Sequence, residues 1–362
     1  MLKRAAVVFL ICAGMATWVG CVTTSSRYLY ASLPQSDQIV AYREDPNSGI
    51  LTVLASSPVA AGPGVQSIAI HPSGKFLYAA NSGENDVSLF TIASNGTITE
   101  VTPRAQVGTA PKLLVIDSAG QFLYVGDSGS TDIYAFSIDA TTGALAQVGS
   151  SFQIGVSPLN MKLSPSGNFL YVTAASQLAG QPGYIEVFSV ASGALTFVPP
   201  AVQPGSSPYG LAIDPSGAHL YTANFGDNTI SEFTINSDGT LTELSGSPMG
   251  ESYTGPVSLF IDNSGKYLYV ANQQSSGNIA GYQIGSDGGL TLLTTSTNSI
   301  FPTASEPNVI AGDPGGKFLF VGNQSSSSSG IQSFSLNTGT GNLTSVATYS
   351  PGGTPTSIAV SP

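Results

Sequence analysis

Short apolar runs set between polar turns recur along almost the whole chain. In "SIAIHPSGKFLYAAN" from Ser67, an alternating run, a Pro/Ser/Gly turn and a run of aliphatic and aromatic residues follow one another. The phrase returns as "LLVIDSAGQFLYVGD" from Leu113, "NMKLSPSGNFLYVTA" from Asn160, "GLAIDPSGAHLYTAN" from Gly210, "SLFIDNSGKYLYVAN" from Ser258 and "VIAGDPGGKFLFVGN" from Val309. Two runs of β-branched and aromatic residues around such a turn predict a hairpin. A polar loop, a third run such as "VSLFTI", a turn such as "ASNGT" or "NSDGT" and a fourth run such as "LTEL" complete each unit. One unit is therefore expected to be four antiparallel strands.

The aromatic closing the L-Y or L-F pair of the second strand falls at Tyr30, Tyr78, Tyr124, Tyr171, Tyr221, Tyr269 and Phe320, with spacings of 48, 46, 47, 50, 48 and 51 residues. A lone four-stranded sheet leaves apolar faces bare, so seven such units predict an all-β, seven-bladed β-propeller in which neighbouring blades cover one another. The W-D pair of the WD40 type is missing. The first unit lacks its innermost strand, because "SSRYLYAS" from Ser25 aligns with "SGKFLYAA" of the second unit, while the chain ends on "TPTSIAVSP". Joined, tail and start make one complete hairpin, so the C-terminal strand is expected to pair with the N-terminal blade and close the ring.

"YVTA" at Tyr171, "YVAN" at Tyr269, "YTAN" at Tyr221 and "YAAN" at Tyr78, each preceded by a Pro/Ser/Gly turn, resemble the YVTN-type seven-bladed propellers. Among these the chain is most similar to the lactonase-like proteins that include 6-phosphogluconolactonase, over about residues 27 to 362. The resemblance implies a lactone-hydrolysing active site with His, Arg and Glu around a central channel. No position of this chain matches that family's His or Arg.

Composition adds an address. "MLKR", an apolar run of sixteen and Cys21 read as a signal peptide over residues 1–20, with "WVGC" resembling a lipobox that departs from pattern at Trp18. Cys21 is then the lipidated N-terminus, residues 21–26 a short tether, and the protein an exported lipoprotein of a bacterial cell envelope. Cys12 falls in the leader, so the mature domain has no thiol for a disulfide, a metal or a nucleophile. Without the leader, eight basic residues face 21 acidic ones, a balance that repels nucleic acid. No phosphate loop, nucleophile elbow or Cys/His cluster is present, and the Asp-rich turns are expected to bond their own backbone rather than calcium. No cofactor or metal is expected, and a monomer is.

Side chains just after the Pro that introduces each first strand, with Val65 in its place in the second unit, should surround the channel mouth: Gln66, Lys112, Leu159, Tyr209, Val257, Asn308 and Thr356. Gln66, Lys112, Tyr209, Phe225 and Asn308 are the candidate ligand contacts, Lys112 also the one weak catalytic candidate, able to stabilise an oxyanion. Tyr253, Phe301 and Tyr349 are expected to add aromatic surface. Ligand-facing loops are expected to carry Asp37, Glu84, Asp86, Asp127, Asp132, Asp227, Glu251 and Glu306 against Arg104 and Lys112, a mouth that would repel a phosphorylated sugar acid. His71 and His219 fall on the opposite side. Lys162 takes a place held elsewhere by small or apolar residues and must snorkel or pair.

The leading expectation is an envelope-anchored propeller that binds a small molecule, glycan or envelope protein at its mouth without turnover. A lactone hydrolase of the 6-phosphogluconolactonase type is the alternative, and a passive scaffold the second.

Overall fold

The computed structural model describes residues 26–176, 181–250, 253–274, 276–293, 300–304, 306–324 and 330–362. The leader, Cys21 and Glu251 lie outside them, as do residues 177–180 of the insertion after Ala175 and most of the serine-rich loop after Asn323.

Seven antiparallel sheets form a ring. Blade 2 is typical, with strands Val65–Ile70, Phe76–Asn81, Asp86–Ile92 and Ile98–Gln106 ordered from axis to rim. Among the described residues, four blades carry an extra strand of two or three residues that pairs with the third, as Val59–Ala60 does with Gln38–Glu44 in blade 1. Runs this short have no readable alternation, so the sequence predicted only four strands per blade.

Blade 1 is built from both ends of the chain. Its innermost strand, Ser357–Val360, pairs antiparallel with Arg27–Leu33 in the register Leu29 to Val360 and Ser32 to Ser357. Ring closure thus uses the same hairpin geometry that the other blades make within one stretch of sequence.

The core is a set of seven clusters, one at each blade boundary. Tyr30, Ile39 and Ala41 of blade 1 pack on Val65, Ile68, Leu77 and Phe90 of blade 2. The L-Y motif is part of this boundary. Tyr30 donates its phenolic hydrogen to the Gly96 carbonyl at 2.8 Å, in the outer turn of the next blade, and Tyr78 does the same to Gly143 at 2.7 Å. Gly96 has φ +80°, and a Cβ there would stand 2.2 Å from the ring of Tyr28, so only glycine fits beneath that aromatic. Tyr171, Tyr221 and Tyr269 repeat the clasp. Tyr124 does not, because the corresponding turn of blade 4, Ser192 and Gly193, is two residues long and its hydroxyl finds no acceptor.

The turn aspartates hold their own loops together. Asp262 Oδ1 accepts from the amides of Lys266 and Tyr267, both at 2.8 Å, and Asp313 does so from Lys317 and Phe318.

Candidate functional site

The residue after the one that opens each innermost strand, proline in most blades and Val65 in blade 2, is a β-bulge. In blade 2, Val65 opposes Asn81 and Ser67 opposes Ala80, which leaves Gln66 unpaired. Lys112, Leu159, Tyr209, Val257 and Asn308 are skipped in the same way. A bulge re-aims the side chain it carries, and here all six turn towards the axis. With Thr356 they line a single cavity of about 480 Å³ at the channel mouth.

The lining is polar but almost uncharged. Asn160, Gln273 and Gln324 contribute amides, and Ser67, Ser258 and Ser357 hydroxyls. Some are already committed: Asn160 Nδ2 donates to the Tyr209 carbonyl at 2.9 Å, Asn308 Nδ2 to the Pro355 carbonyl at 2.7 Å, and Gln273 Nε2 to Gln324 Oε1 at 2.6 Å. These bonds tie neighbouring blades around the mouth. Tyr209 and Phe225 stand edge to face, ring centres 5.4 Å apart, and each is 37% exposed, an apolar platform on one wall. Lys112 is exposed, and no carboxylate of the described residues pairs with it. All five candidate ligand contacts therefore meet in one space.

The expected carboxylates do not line the cavity among the described residues. Asp37 Oδ1 accepts from Gly64 N at 2.7 Å, the task that Asn85 performs for Ala110 N and Asn228 for Gly255 N. Asp227 Oδ2 accepts from Ser206 N at 2.6 Å. Arg104 binds Glu84 and Glu100 and stands 3.7 Å from Asp86. Glu306 is exposed in its loop and does not line the cavity. Among the described lining residues there is no carboxylate, and the charge present is the Lys112 ammonium. The expected carboxylates thus stay in the surrounding loops and do not enter the cavity itself.

Phe301 is buried between blades 6 and 7, Tyr349 packs on Tyr42 and accepts a hydrogen bond from Leu51 N, and Tyr253 leans on the blade 5 and 6 core. None of the three lines the mouth. The histidines are structural neighbours of turns: His71 contacts the Gly120 carbonyl at 2.9 Å, and His219 contacts Asp214 at 3.2 Å.

Asp127 and Asp132 are buried opposite each other at the end of the second and third strands of blade 3. Asp132 accepts from Ser130 Oγ at 2.6 Å and Gln153 Nε2 at 3.1 Å, while Asp127 Oδ2 accepts from Gly108 N and its Oδ1 has no partner. Blade 2 has Asn81 and Asp86 in the same register, with Asn81 Nδ2 donating to Asp86 at 2.7 Å. A protonated Asp127 reproduces that donor. Burial, then the Asp132 charge, push its pKa up to about 8. The raised value means that folding takes up a proton at neutral pH. This stabilising contribution is complete below the ordinary carboxylate range and is lost as pH rises to about 8. Asp127→Asn should therefore flatten the fall of unfolding free energy between about pH 4 and 8 and stabilise the protein at pH 8 by on the order of 2 kcal/mol. Urea denaturation at several pH values measures this, and an unchanged pH slope would rule out the shared proton.

The family described as lactonase, 7-bladed β-propeller, matches residues 61–158, 155–258 and 247–360. Among solved structures, a candidate 6-phosphogluconolactonase from Bacteroides uniformis is 19% identical with a TM-score of 0.79, covering 93% of this chain and 99% of that one. A second candidate, from Bacteroides fragilis, is 22% identical with a TM-score of 0.78 and covers 94% and 99%. The periplasmic gluconolactonase of Pseudomonas aeruginosa is 18% identical with a TM-score of 0.74 and covers 93% and 99%. At these identities the likeness is one of fold. No curated protein sequence matches the chain.

Proposed function

The chain belongs to the lactonase seven-bladed β-propeller family, and from that premise we propose that its channel-mouth cavity hydrolyses a polyhydroxylated lactone. The observation that carries this reading is the unpaired Lys112 ammonium in a 480 Å³ cavity otherwise walled by amides, hydroxyls and the Tyr209 and Phe225 rings. An aromatic face beside amides suits a sugar ring, with one apolar face and a rim of hydroxyls. The ammonium is the group on which a carbonyl oxygen would gain negative charge. Water adds to the carbonyl carbon, the oxyanion is held by Lys112, and the ring C–O bond breaks. The ring oxygen takes a proton, and the product is an open-chain hydroxy acid that ionises to a carboxylate. A cationic cavity accepts neutral and anionic lactones alike, so gluconolactone and its phosphorylated form are the substrates to compare. The test is their hydrolysis by purified mature protein; rates no higher than in buffer would overturn the reading.

A second reading, binding of a sugar or sugar acid without turnover, is favoured by one feature. The described lining residues include no carboxylate or imidazole to accept a proton from the attacking water.

We also propose that the enzyme works outside the cytoplasm, tethered by lipid at Cys21. The leader sequence supports this, and the named Pseudomonas aeruginosa relative is periplasmic. Mass spectrometry of the mature N-terminus should find a diacylglyceryl-modified Cys21, and an unmodified chain would remove the anchor.

A further inference from the structure

Below the mouth, the position opposite the second-strand aromatic carries Ala69, Ala212, Ala311 and Ala359, with Val115 and Phe260, in six blades and Lys162 in blade 4. Lys162, Ala212 and Phe260 come from three successive blades yet line one cavity of about 190 Å³, an arrangement open only to side chains around the axis. Leu163, Ile213 and Ile261 form its apolar floor. The Lys162 side chain is exposed to this channel, but it lies deep inside the ring. Nothing among the described residues pairs with it, and burial is the sole influence on its pKa, which it lowers. Of the two outcomes expected for Lys162, snorkelling or pairing, pairing with a carboxylate is not seen among the described residues. An ammonium removed from bulk water without a counter-charge is costly.

A strand-edge amide adds a second donor. Each innermost strand is paired along one edge and turns the other to the axis. Ile310 N donates across the blade boundary to Ser258 Oγ at 3.2 Å, and Ile68 N to Ser357 Oγ at 3.2 Å. The matching amide of blade 6 is Leu259, and the residue matching those serines in blade 5 is Gly210, which has no hydroxyl. Leu259 N–H therefore has no side-chain acceptor on blade 5, and Leu259 lines the cavity that holds Lys162. Lys162 and the residue that carries this amide thus line one cavity whose described lining offers no carboxylate.

We propose that the axial channel beside Lys162 is a binding site for a small monovalent anion, a halide or a short-chain carboxylate, held by the Lys162 ammonium and Leu259 N–H. The apolar floor disfavours a bulky polyol, so this site is separate from the mouth and independent of lactone turnover.

The test is the unfolding temperature of the mature protein and of Lys162→Met, titrated with sodium chloride or sodium acetate at ionic strength held by sodium HEPES. The wild type should show a saturable rise of roughly 2 °C with at least one salt, and the variant none. A response to chloride alone identifies a halide site, and one to acetate alone a carboxylate site. No response in the wild type, or equal responses in both proteins, overturns the proposal. Should Lys162→Met not fold, the wild type can be reductively methylated with ¹³C and titrated with the same salts, with Lys75, Lys112, Lys266 and Lys317 assigned by arginine replacement. Saturable movement of the remaining lysine signal supports the site. Uniform linear drift of all of them overturns it.

Discussion

Removal of Thr354–Pro362 should leave a chain that no longer unfolds in one cooperative transition. The deletion takes away the innermost strand of blade 1 and its four register pairs with Arg27–Leu33. It also removes Ser361, whose Oγ accepts from Tyr28 N at 2.9 Å and whose N–H donates to the Tyr28 carbonyl at 2.8 Å. Thr356, bonded to the Gln66 carbonyl at 2.7 Å, and Ser357, bonded to Ile68 N, go as well, so blade 2 loses its axial neighbour. Ile358 leaves the cluster it shares with Leu29, Ala31, Phe320 and Ile331, the boundary between blades 7 and 1. Each net hydrogen bond contributes about 1 kcal/mol and each Å² of apolar surface about 25 cal/mol, so the sum approaches the ~5–15 kcal/mol that holds a domain folded. The uncovered edge of Arg27–Leu33 would also be free to pair between molecules. Circular dichroism melting should show a broad transition, sedimentation should show association, and a peptide spanning Gly353–Pro362 should restore the sharp melt when added in trans. An unchanged transition in the truncated protein would contradict ring closure by this strand. Arg27, whose Nη1 meets Asp313 Oδ2 at 2.7 Å, secures the same boundary from the turn side but cannot replace a missing strand.

Ring and mouth were legible in the sequence because both depend on backbone grammar. The period of the L-Y pair fixes the number of blades, and a prolyl residue ahead of the inner strand, replaced by Val65 in blade 2 alone, marks where the next side chain stands free of the ladder. The charge of the mouth was not legible. Asp37 and Asp227 do occupy loops on the ligand side, but the direction of a loop side chain is set by local amides. Gly64 N and Ser206 N capture them. A signal for Asp37 existed: Asn85 and Asn228 occupy equivalent turns and perform the same bond without charge, which marks the position as a loop brace. Asp127 was open to similar reasoning, since it replaces the asparagine of "YAAN", "YTAN" and "YVAN". Its protonation depends on Asp132 across the sheet and on burial, which only the fold supplies. Lys162 stood out by contrast with its equivalents, whereas the missing hydroxyl of Gly210 matters only once blades 5 and 6 are seen side by side.

Lys112→Met should lower kcat/KM for lactone hydrolysis by about 10²-fold, mostly through kcat, because among the described lining residues the ammonium is the one charge placed to stabilise an oxyanion that exists only in the transition state. The substitution keeps the length and apolar stem of the side chain. The bulge it occupies is set by Pro111 and the register around Asp127, so the strand itself should be undisturbed and the melting temperature unchanged. Lys112→Arg should recover part of the loss, since charge is restored with a different reach. Tyr209→Ala gives the opposite pattern, because a stacking face holds ground state and transition state equally: KM should rise about tenfold with kcat little altered. Steady-state kinetics on gluconolactone separates the two. If Lys112→Met hydrolyses the lactone as fast as the wild type while Tyr209→Ala weakens binding, the cavity holds sugars without Lys112 acting on them, and the binding reading replaces the catalytic one.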